Sequence, residues 1–352
     1  MSSLRRVVTG LAGALLLLSG TFCATAAAES VADFYSGKQV KIVIGASMGG
    51  SYGFYAQMLA RHITPHLPGN PTVVVQAMPG SGGNKSMNYT YVAGPQDGSV
   101  VSLPLLTVVQ ETLFNPQVRF DAKGYNYVGR FADVALVATA HKRTGIRTIE
   151  DAKKKAFPIG TLGPQNQTYV GPRVMNEMAG TKFNLISGYR GTTESYQAME
   201  RGEVDIATTS WNTLNLRHKA KLESGELIPI FTITAKRHKE LPNVPAIIEF
   251  GNTDTEKDFL KILTVSSEIG RSLAGPPGMP KDRVEAWRAA MAKAVASKAF
   301  RDDVFKRNGR LNPISGEELT QTIHAVMNLP KSRVADAKVY FQKLIPATAG
   351  KQ

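Results

Sequence analysis

The sequence predicts an α/β fold of two lobes, each a mainly parallel sheet with flanking helices, and a cleft between them. Three observations predict it. Short Val/Ile-rich runs alternate with helical stretches along the chain. The first two runs each end in a glycine-rich turn that opens a helix. A dense punctuation segment, Gly275-Pro276-Pro277-Gly278-Met279-Pro280, precedes a long C-terminal helix, as expected where a chain returns to its first lobe after building a second.

The N-terminus reads as an export signal. Arg5 and Arg6 form a basic region, and Val7 to Leu18 is an apolar run too short for a confident membrane span. Ala24-Thr25-Ala26 and Ala26-Ala27-Ala28 both fit a small-x-small cleavage site, and the cut is placed after Ala28. Residues 1–28 are therefore read as a signal peptide. Cys23 is the only cysteine and leaves with it. The mature chain then has no disulfide, no thiolate nucleophile and no cysteine metal site.

The mature chain opens on the strand Val40-Lys41-Ile42-Val43-Ile44 and the turn Gly45-Ala46-Ser47-Met48-Gly49-Gly50-Ser51. The following helix has Tyr55, Met58, Leu59 and Ile63 on one face, which packs on the sheet. The second strand is Thr72-Val73-Val74-Val75, and its turn is Pro79-Gly80-Ser81-Gly82-Gly83-Asn84. Backbone N–H groups at such turns point outward, and the helix dipole adds partial positive charge. Two of them on neighbouring strands would cradle an anion.

Further apolar runs lie at Val100–Leu103, Val134–Val137, Phe157–Gly160, Val204–Ala207 and Ile228–Ile233. Continuous Val/Ile runs suggest strands buried on both faces of a parallel sheet. A long helix is expected from Asp282 to Phe300, with Asp282 as its N-cap and Val284, Trp287, Met291 and Val295 inward. Lobe 1 is assigned residues 29–135 and 265–352, and lobe 2 residues 136–264, joined by crossing strands near 135 and 265. Open α/β sheets bind ligands outside the carboxyl ends of their strands, so the site is expected in the cleft.

Net charge is +14, and removing the two signal-peptide arginines leaves +12. The basic runs Lys153-Lys154-Lys155 and Lys236-Arg237-His238-Lys239 have no interleaved aromatics, which argues against nucleic acid. A general positive potential favours anionic small molecules. Neither glycine turn spells G-x-G-x-x-G, and no lysine stands at P-loop spacing. His62 and His66 are four apart, but Pro65 lies between them and no glutamate accompanies them. No serine occupies a G-x-S-x-G elbow. The chain is read as a non-enzyme without cofactor or metal.

The chain resembles the periplasmic solute receptors of tripartite tricarboxylate transporters, the Bug or TctC-type proteins. Seven marks carry the resemblance in order: the strand and glycine turn from Val40 to Gly50 leading to Met58-Leu59-Ala60-Arg61; Val73 through Pro79-Gly80-Ser81-Gly82-Gly83-Asn84; Pro95-Gln96-Asp97-Gly98; Gly188-Tyr189-Arg190-Gly191; Arg201-Gly202-Glu203-Val204-Asp205; Leu241-Pro242-Asn243-Val244-Pro245; and Gly275 to Pro280. Departures are Ser47-Met48, where the family often has a proline pair, Gly160-Thr161-Leu162-Gly163, and Thr209, where an acidic residue is common.

The resemblance implies a periplasmic-binding-protein-like fold, a periplasmic location and a monomer. It also implies an organic anion ligand (a di- or tricarboxylate or an aromatic carboxylate) delivered to the membrane permease subunits of a transporter. A sensor kinase as docking partner, and more remotely a nucleotide-dependent enzyme, remain alternatives. Ligand-contacting candidates on the first lobe are Ala46, Ser47, Met48, Gly49, Gly50, Ser51, Tyr52, Ser81, Gly82, Gly83 and Asn84. On the second lobe they are Thr161, Gly163, Tyr189, Arg190, Gly191, Asp205 and Trp211. Each has a plainer role open to it: the serines as helix caps, Tyr52 packing on its own lobe, Arg190 in a salt bridge, Asp205 ordering water or a turn, Trp211 as core.

Overall fold

A computed structural model describes residues 29–164, 166–189 and 191–344. The expected signal peptide, with Cys23, and the candidate Arg190 lie outside the described residues. Everything below belongs to the compact unit Val31–Gln352.

The first stretch gives α1 (Val31–Tyr35), β1 (Gln39–Ile44), α2 (Ser51–Ile63), β2 (Thr72–Ala77), α3 (Asn84–Asn88), β3 (Val100–Leu103), α4 (Val108–Phe114) and β4 (Asn126–Ala132). The chain then builds β5 (Leu136–His141), β6 (Phe157–Thr161), α5 (Gln167–Ala179), β7 (Phe183–Ser187), α6 (Thr192–Arg201), β8 (Ile206–Ser210), α7 (Trp211–Arg217), α8 (Lys219–Glu223) and β9 (Leu227–Ile233). It returns through α9 (Asp254–Ile269) and β10 (Arg271–Gly275). The last elements are α10 (Lys281–Ala296), α11 (Lys298–Lys306), β11 (Ile314–Ser315), α12 (Gly316–Met327) and α13 (Lys331–Leu344).

Two separate sheets result, ordered β11-β4-β10-β3-β1-β2 and β7-β6-β8-β5-β9. Both are mixed rather than mainly parallel. β1 runs parallel to β2 and β3, but β10 is antiparallel to β3 and β4, and β11 to β4. In the second sheet β6 is parallel to β7 and β8, whereas β5 is antiparallel to β8 and β9. The apolar runs do not reveal this. A central antiparallel strand covered by helices on both faces is as uniformly apolar as a parallel one.

β1 and β2 pair in register from Gln39↔Thr72 to Ile44↔Ala77, so both strands end together. Their glycine turns therefore emerge side by side, as expected. A Cβ on Gly45 would lie 2.9 Å from the Gly83 Cα, which is why only glycine fits there. The inward face of α2 is as the spacing predicts, with Tyr55, Met58, Leu59 and Ile63 all buried. Trp287 is fully buried and donates from Nε1 to the Tyr35 hydroxyl at 2.9 Å.

The expected helix 282–300 is two helices. Ser297 is extended, with φ −66 and ψ 141, and its hydroxyl accepts from Phe300 N at 3.2 Å to start α11. A serine that can cap a new helix offers the backbone an exit from the old one. Pro280, not Asp282, is the N-cap of α10, and the Asp282 carboxylate accepts from Arg283 N instead.

The first crossing between the sheets is the short link Asp133-Val134-Ala135 between β4 and β5. The return near residue 265 is a helix rather than a strand: α9 runs to Ile269, and Gly270 turns the chain into β10. The two crossings touch, with Val134 N donating to Ser267 O at 3.3 Å.

Removing the Trp287 ring leaves a large void in the first lobe's core and takes away the donor to the Tyr35 hydroxyl oxygen. Trp287→Ala should cost about 3–5 kcal/mol in urea unfolding. A pH effect is also expected. Burial pushes the imidazoles of His141, His218 (stacked on Tyr196 at 4.8 Å) and His238 below the usual 6.5. Their neutral forms then stabilise the fold above pH 6.5, and that stability is lost as pH falls through the depressed values. The melting temperature should drop between pH 7.5 and 5.5, and His218→Gln should flatten that slope.

Candidate functional site

A cavity of about 560 Å³ lies between the two sheets. From the first come Gly49, Gly50, Ser51, Phe54, Tyr55, Leu106, Arg271, Arg307, Asn308 and Gly309. The first crossing and the second sheet supply Val134, Leu136, Thr192, Thr193, Thr209, Ser210, Asn212, Thr213, Leu216 and Arg217. The carboxyl ends of β1 and β8 and the starts of α2, α6 and α7 thus converge on one space.

Two of these helix starts are left open. Gly50 is the N-cap of α2 and Gly191 that of α6, and neither helix has a side-chain cap. In contrast, α5, α9, α11 and α12 are capped by Asn166, Thr253, Ser297 and Ser315. A glycine at the N-cap leaves first-turn N–H groups free for an external acceptor. Ser51 is the first helical residue rather than the cap of α2, so the capping role open to it in the sequence is not the one it takes.

Its hydroxyl instead accepts from Arg271. The guanidinium donates through Nε at 3.0 Å and through one Nη at 2.6 Å to Ser51 Oγ. Its face lies 4.1 Å from the centre of the Tyr52 ring. Tyr52 is itself fixed: its hydroxyl donates to Pro104 O at 3.3 Å and accepts from Leu106 N at 3.0 Å. Arg271 is only 8% exposed and has no carboxylate partner among the described residues. Sequence reasoning missed it. The available signal was an arginine beginning a strand otherwise made of small and apolar residues, Ser272-Leu273-Ala274.

The lining carries three cations, Arg217, Arg271 and Arg307, and no acidic residue. Arg217 donates to Thr193 Oγ1 at 3.3 Å. Arg307 is held by Asp303 at 2.9 Å, whose carboxyl is kept well below its usual range by hydrogen bonds from Arg307, His62 and Arg61. Beside the cavity, Arg310 reaches both carboxylate oxygens of Glu240, at 2.9 and 3.0 Å, and so joins the segment after α11 to the one after β9.

The candidates from the sequence divide. Gly49, Gly50 and Ser51 line the cavity, and Gly191 opens the helix whose Thr192 and Thr193 do. Tyr52 supports Arg271 from beneath. Ala46, Ser47 and Met48 belong to the same turn but are not among the lining residues. Ser81, Gly82, Gly83 and Asn84 lie next to that turn yet outside the cavity, and Asn84 donates to Glu111 at 2.9 Å. Thr161 is buried and donates to Ile186 O, and Gly163 stands near it with φ +154. Tyr189 packs against the buried cluster of Tyr196, Met199 and Trp211. Trp211 is core, 8% exposed and 5.9 Å from the His238 ring. Asp205 sits at the opposite end of β8 from the cavity, 3.8 Å from Arg143. A strand's entry residue is remote from its carboxyl end, which is why Asp205 lies outside the lining.

The family described as tripartite tricarboxylate transporter family receptor, TctC, matches residues 57–330. The chain belongs to that family. TctC proteins are solute-binding receptors rather than enzymes. Among curated proteins the receptor is similar to one from Cupriavidus necator, described as UPF0065 protein in gbd 5'region. It is 25% identical over 288 residues, 79% of this chain and 81% of the relative. Its fold is similar to a TctC solute binding protein from Polaromonas, with TM-score 0.64 and 19% identity, covering 88% of this chain and 99% of that one. It is also similar to an R. palustris protein solved with adipate, with TM-score 0.59 and 17% identity, over 85% and 97% of the two chains. The two-lobed periplasmic binding protein architecture expected from the sequence is thus the one found. Among the described residues no helix is long and apolar enough to cross a membrane.

The first turn of the receptor is tightly built over α2. A Cβ on Gly53 would fall 2.1 Å from the Met48 carbonyl oxygen, so any side chain there must displace the turn. Gly53→Ala should cost about 1–3 kcal/mol in urea unfolding, and should weaken binding in the cavity because Gly49 and Gly50 move with the turn.

Proposed function

We propose that this receptor captures a small organic carboxylate between its lobes, outside the cytoplasm, and delivers it to the permease subunits of a tripartite tricarboxylate-type transporter. One observation carries the reading: two glycine-capped helix starts and three arginines face a single inter-lobe cavity whose lining holds no acidic residue. A carboxylate accepts from free first-turn amides and from guanidinium groups, and such charge-assisted bonds are the strong ones. The adipate-bound neighbour of similar fold is consistent with this chemistry. The export signal read at residues 1–28 would place the receptor where such acids arrive.

The contacts are divided between the lobes. Gly49, Gly50, Ser51 and Arg271 stand on one, and Thr192, Thr193, Ser210 and Arg217 on the other. A ligand that bonds both has higher affinity for the closed arrangement and shifts the population toward it. The Arg310–Glu240 pair, at the cavity's flank, is exposed enough to contribute only about 0.2–1 kcal/mol to that balance.

Calorimetry of the purified receptor against a panel of mono-, di- and tricarboxylates tests the reading. At least one acid should bind, with affinity falling as salt rises, and should raise the melting temperature by mass action. Small-angle scattering should show compaction at saturation. Binding of neutral or cationic solutes alone, or no compaction with a bound acid, would overturn respectively the ligand class and the closing mechanism.

A further inference from the structure

Arg271 is the point at which the cavity departs from a general anion trap. A guanidinium removed from water is destabilised unless an opposite charge or a full set of acceptors compensates it. Here the acceptors are one hydroxyl, Ser51 Oγ, taken by two N–H groups, and a long 3.5 Å contact from the remaining Nη to Gly270 O. One face is covered by Tyr52. The side chain is locked by its neighbours, is 8% exposed, lines the cavity and lacks a counter-charge among the described residues. A rigid planar fork with donors to spare is suited to a carboxylate.

The rest of the lining has a polar side of threonine, serine and asparagine residues, mostly from α6, β8 and α7, and an apolar side that a compact hydroxy acid leaves unused. Phe54, Leu106, Val134, Leu136 and Leu216 all face the cavity, and Leu216 is 43% exposed. Hydroxyl groups laid against such side chains lose their water partners and gain none. An apolar ligand body there removes hydrocarbon from water on both sides. Across the cavity Arg217 is exposed and, among the described residues, bonded only to Thr193 Oγ1, so it can adjust to a second anionic group. Arg307, in contrast, is already engaged by Asp303.

We infer that Arg271 is the specificity-determining residue of this cavity, and that it selects dicarboxylates whose two acid groups are separated by an apolar spacer, straight-chain or aromatic. Arg271 takes one carboxylate at the start of α2, the spacer lies along the apolar wall, and Arg217 meets the second carboxylate from the opposite lobe. The inference rests on the reading of this cavity as the solute site and adds the class of solute.

Titration calorimetry of the purified receptor with suberate, benzene-1,4-dicarboxylate, benzoate and malate tests it. The two spacer diacids should bind about tenfold or more tighter than malate. Arg271→Met should weaken every acid roughly 10- to 100-fold, the loss expected for a charged hydrogen-bond donor set. Arg271→Lys should recover only part, because an ammonium cannot fork. Arg217→Gln should weaken the diacids about tenfold and benzoate much less. Ser51→Ala, which keeps the charge but releases its tether, should weaken binding by a smaller factor and keeps the inference testable if Arg271→Met does not fold. Malate binding as tightly as the spacer diacids, or Arg271→Lys and Ser51→Ala binding like the unaltered receptor, overturns the inference while leaving the carboxylate function standing. An unaltered receptor that binds none of the four acids overturns both.

Discussion

The chain passes between its sheets twice, and the packing of one passage on the other constrains everything around the cavity. Val134 N donates to Ser267 O at 3.3 Å where the link from β4 to β5 meets the end of α9. Gly270 follows with φ +53, and a Cβ there would lie 2.2 Å from Ala132 O. No other residue could bring α9 this close to the end of β4 without moving one of them. Neighbouring bonds hold the same junction, from Asn312 to Asp133 at 2.9 Å and from Arg130 to the Glu268 carboxylate at 3.0 Å. The next residue is Arg271. Its emergence beneath the α2 turn is thus set by the close approach of two main-chain segments.

Around that junction the cavity's electrostatics are built from absences as much as from charges. In several helices, α7 at the cavity among them, a Ser, Thr or Asn side chain fills the first turn, as at Asn166, Ser210, Thr253, Ser297 and Ser315. Where a helix faces the cavity from α2 or α6, glycine stands at the cap and the first-turn amides stay available. The arginines add full charges from both lobes, and Asp303, the carboxylate bonded to Arg307, is also turned toward Arg61 and His62. The consequence is a positive space with a partly apolar wall between the two sheets, flanked by the Arg310–Glu240 pair.

Much of this was legible in the order of residues. The strand–glycine–helix units at 40–51 and 72–84, the inward faces of α2 and α10, and the family itself follow from local pattern. A strand's apolarity, a turn's need for glycine and a helix's period are properties of neighbours in the chain. The choice of Gly49, Gly50 and Ser51 for the site came from the same source. The second glycine turn was read as a ligand loop because its chemistry is that of the first. Folded, it packs Gly83 behind Gly45 and turns its Asn84 amide to Glu111.

The direction of the central strands, the helical form of the second crossing and the residues that face the cavity from afar were fixed only by the fold. β10 could be placed antiparallel only once α9 had brought the chain back, because apolar runs carry no direction. Asp205 and Thr209 lie on one short stretch of chain, yet one faces Arg143 and the other the cavity, at opposite ends of β8. Arg271 is 220 residues from Ser51 and 219 from Tyr52, and is bonded to the first and stacked on the second. The sequence by itself determined the architecture, the helix faces and one glycine turn that lines the cavity, since each depends on residues close along the chain. The tertiary structure alone decided which cation meets that turn, since this contact spans more than half of the chain and is set by the path of the backbone through both crossings.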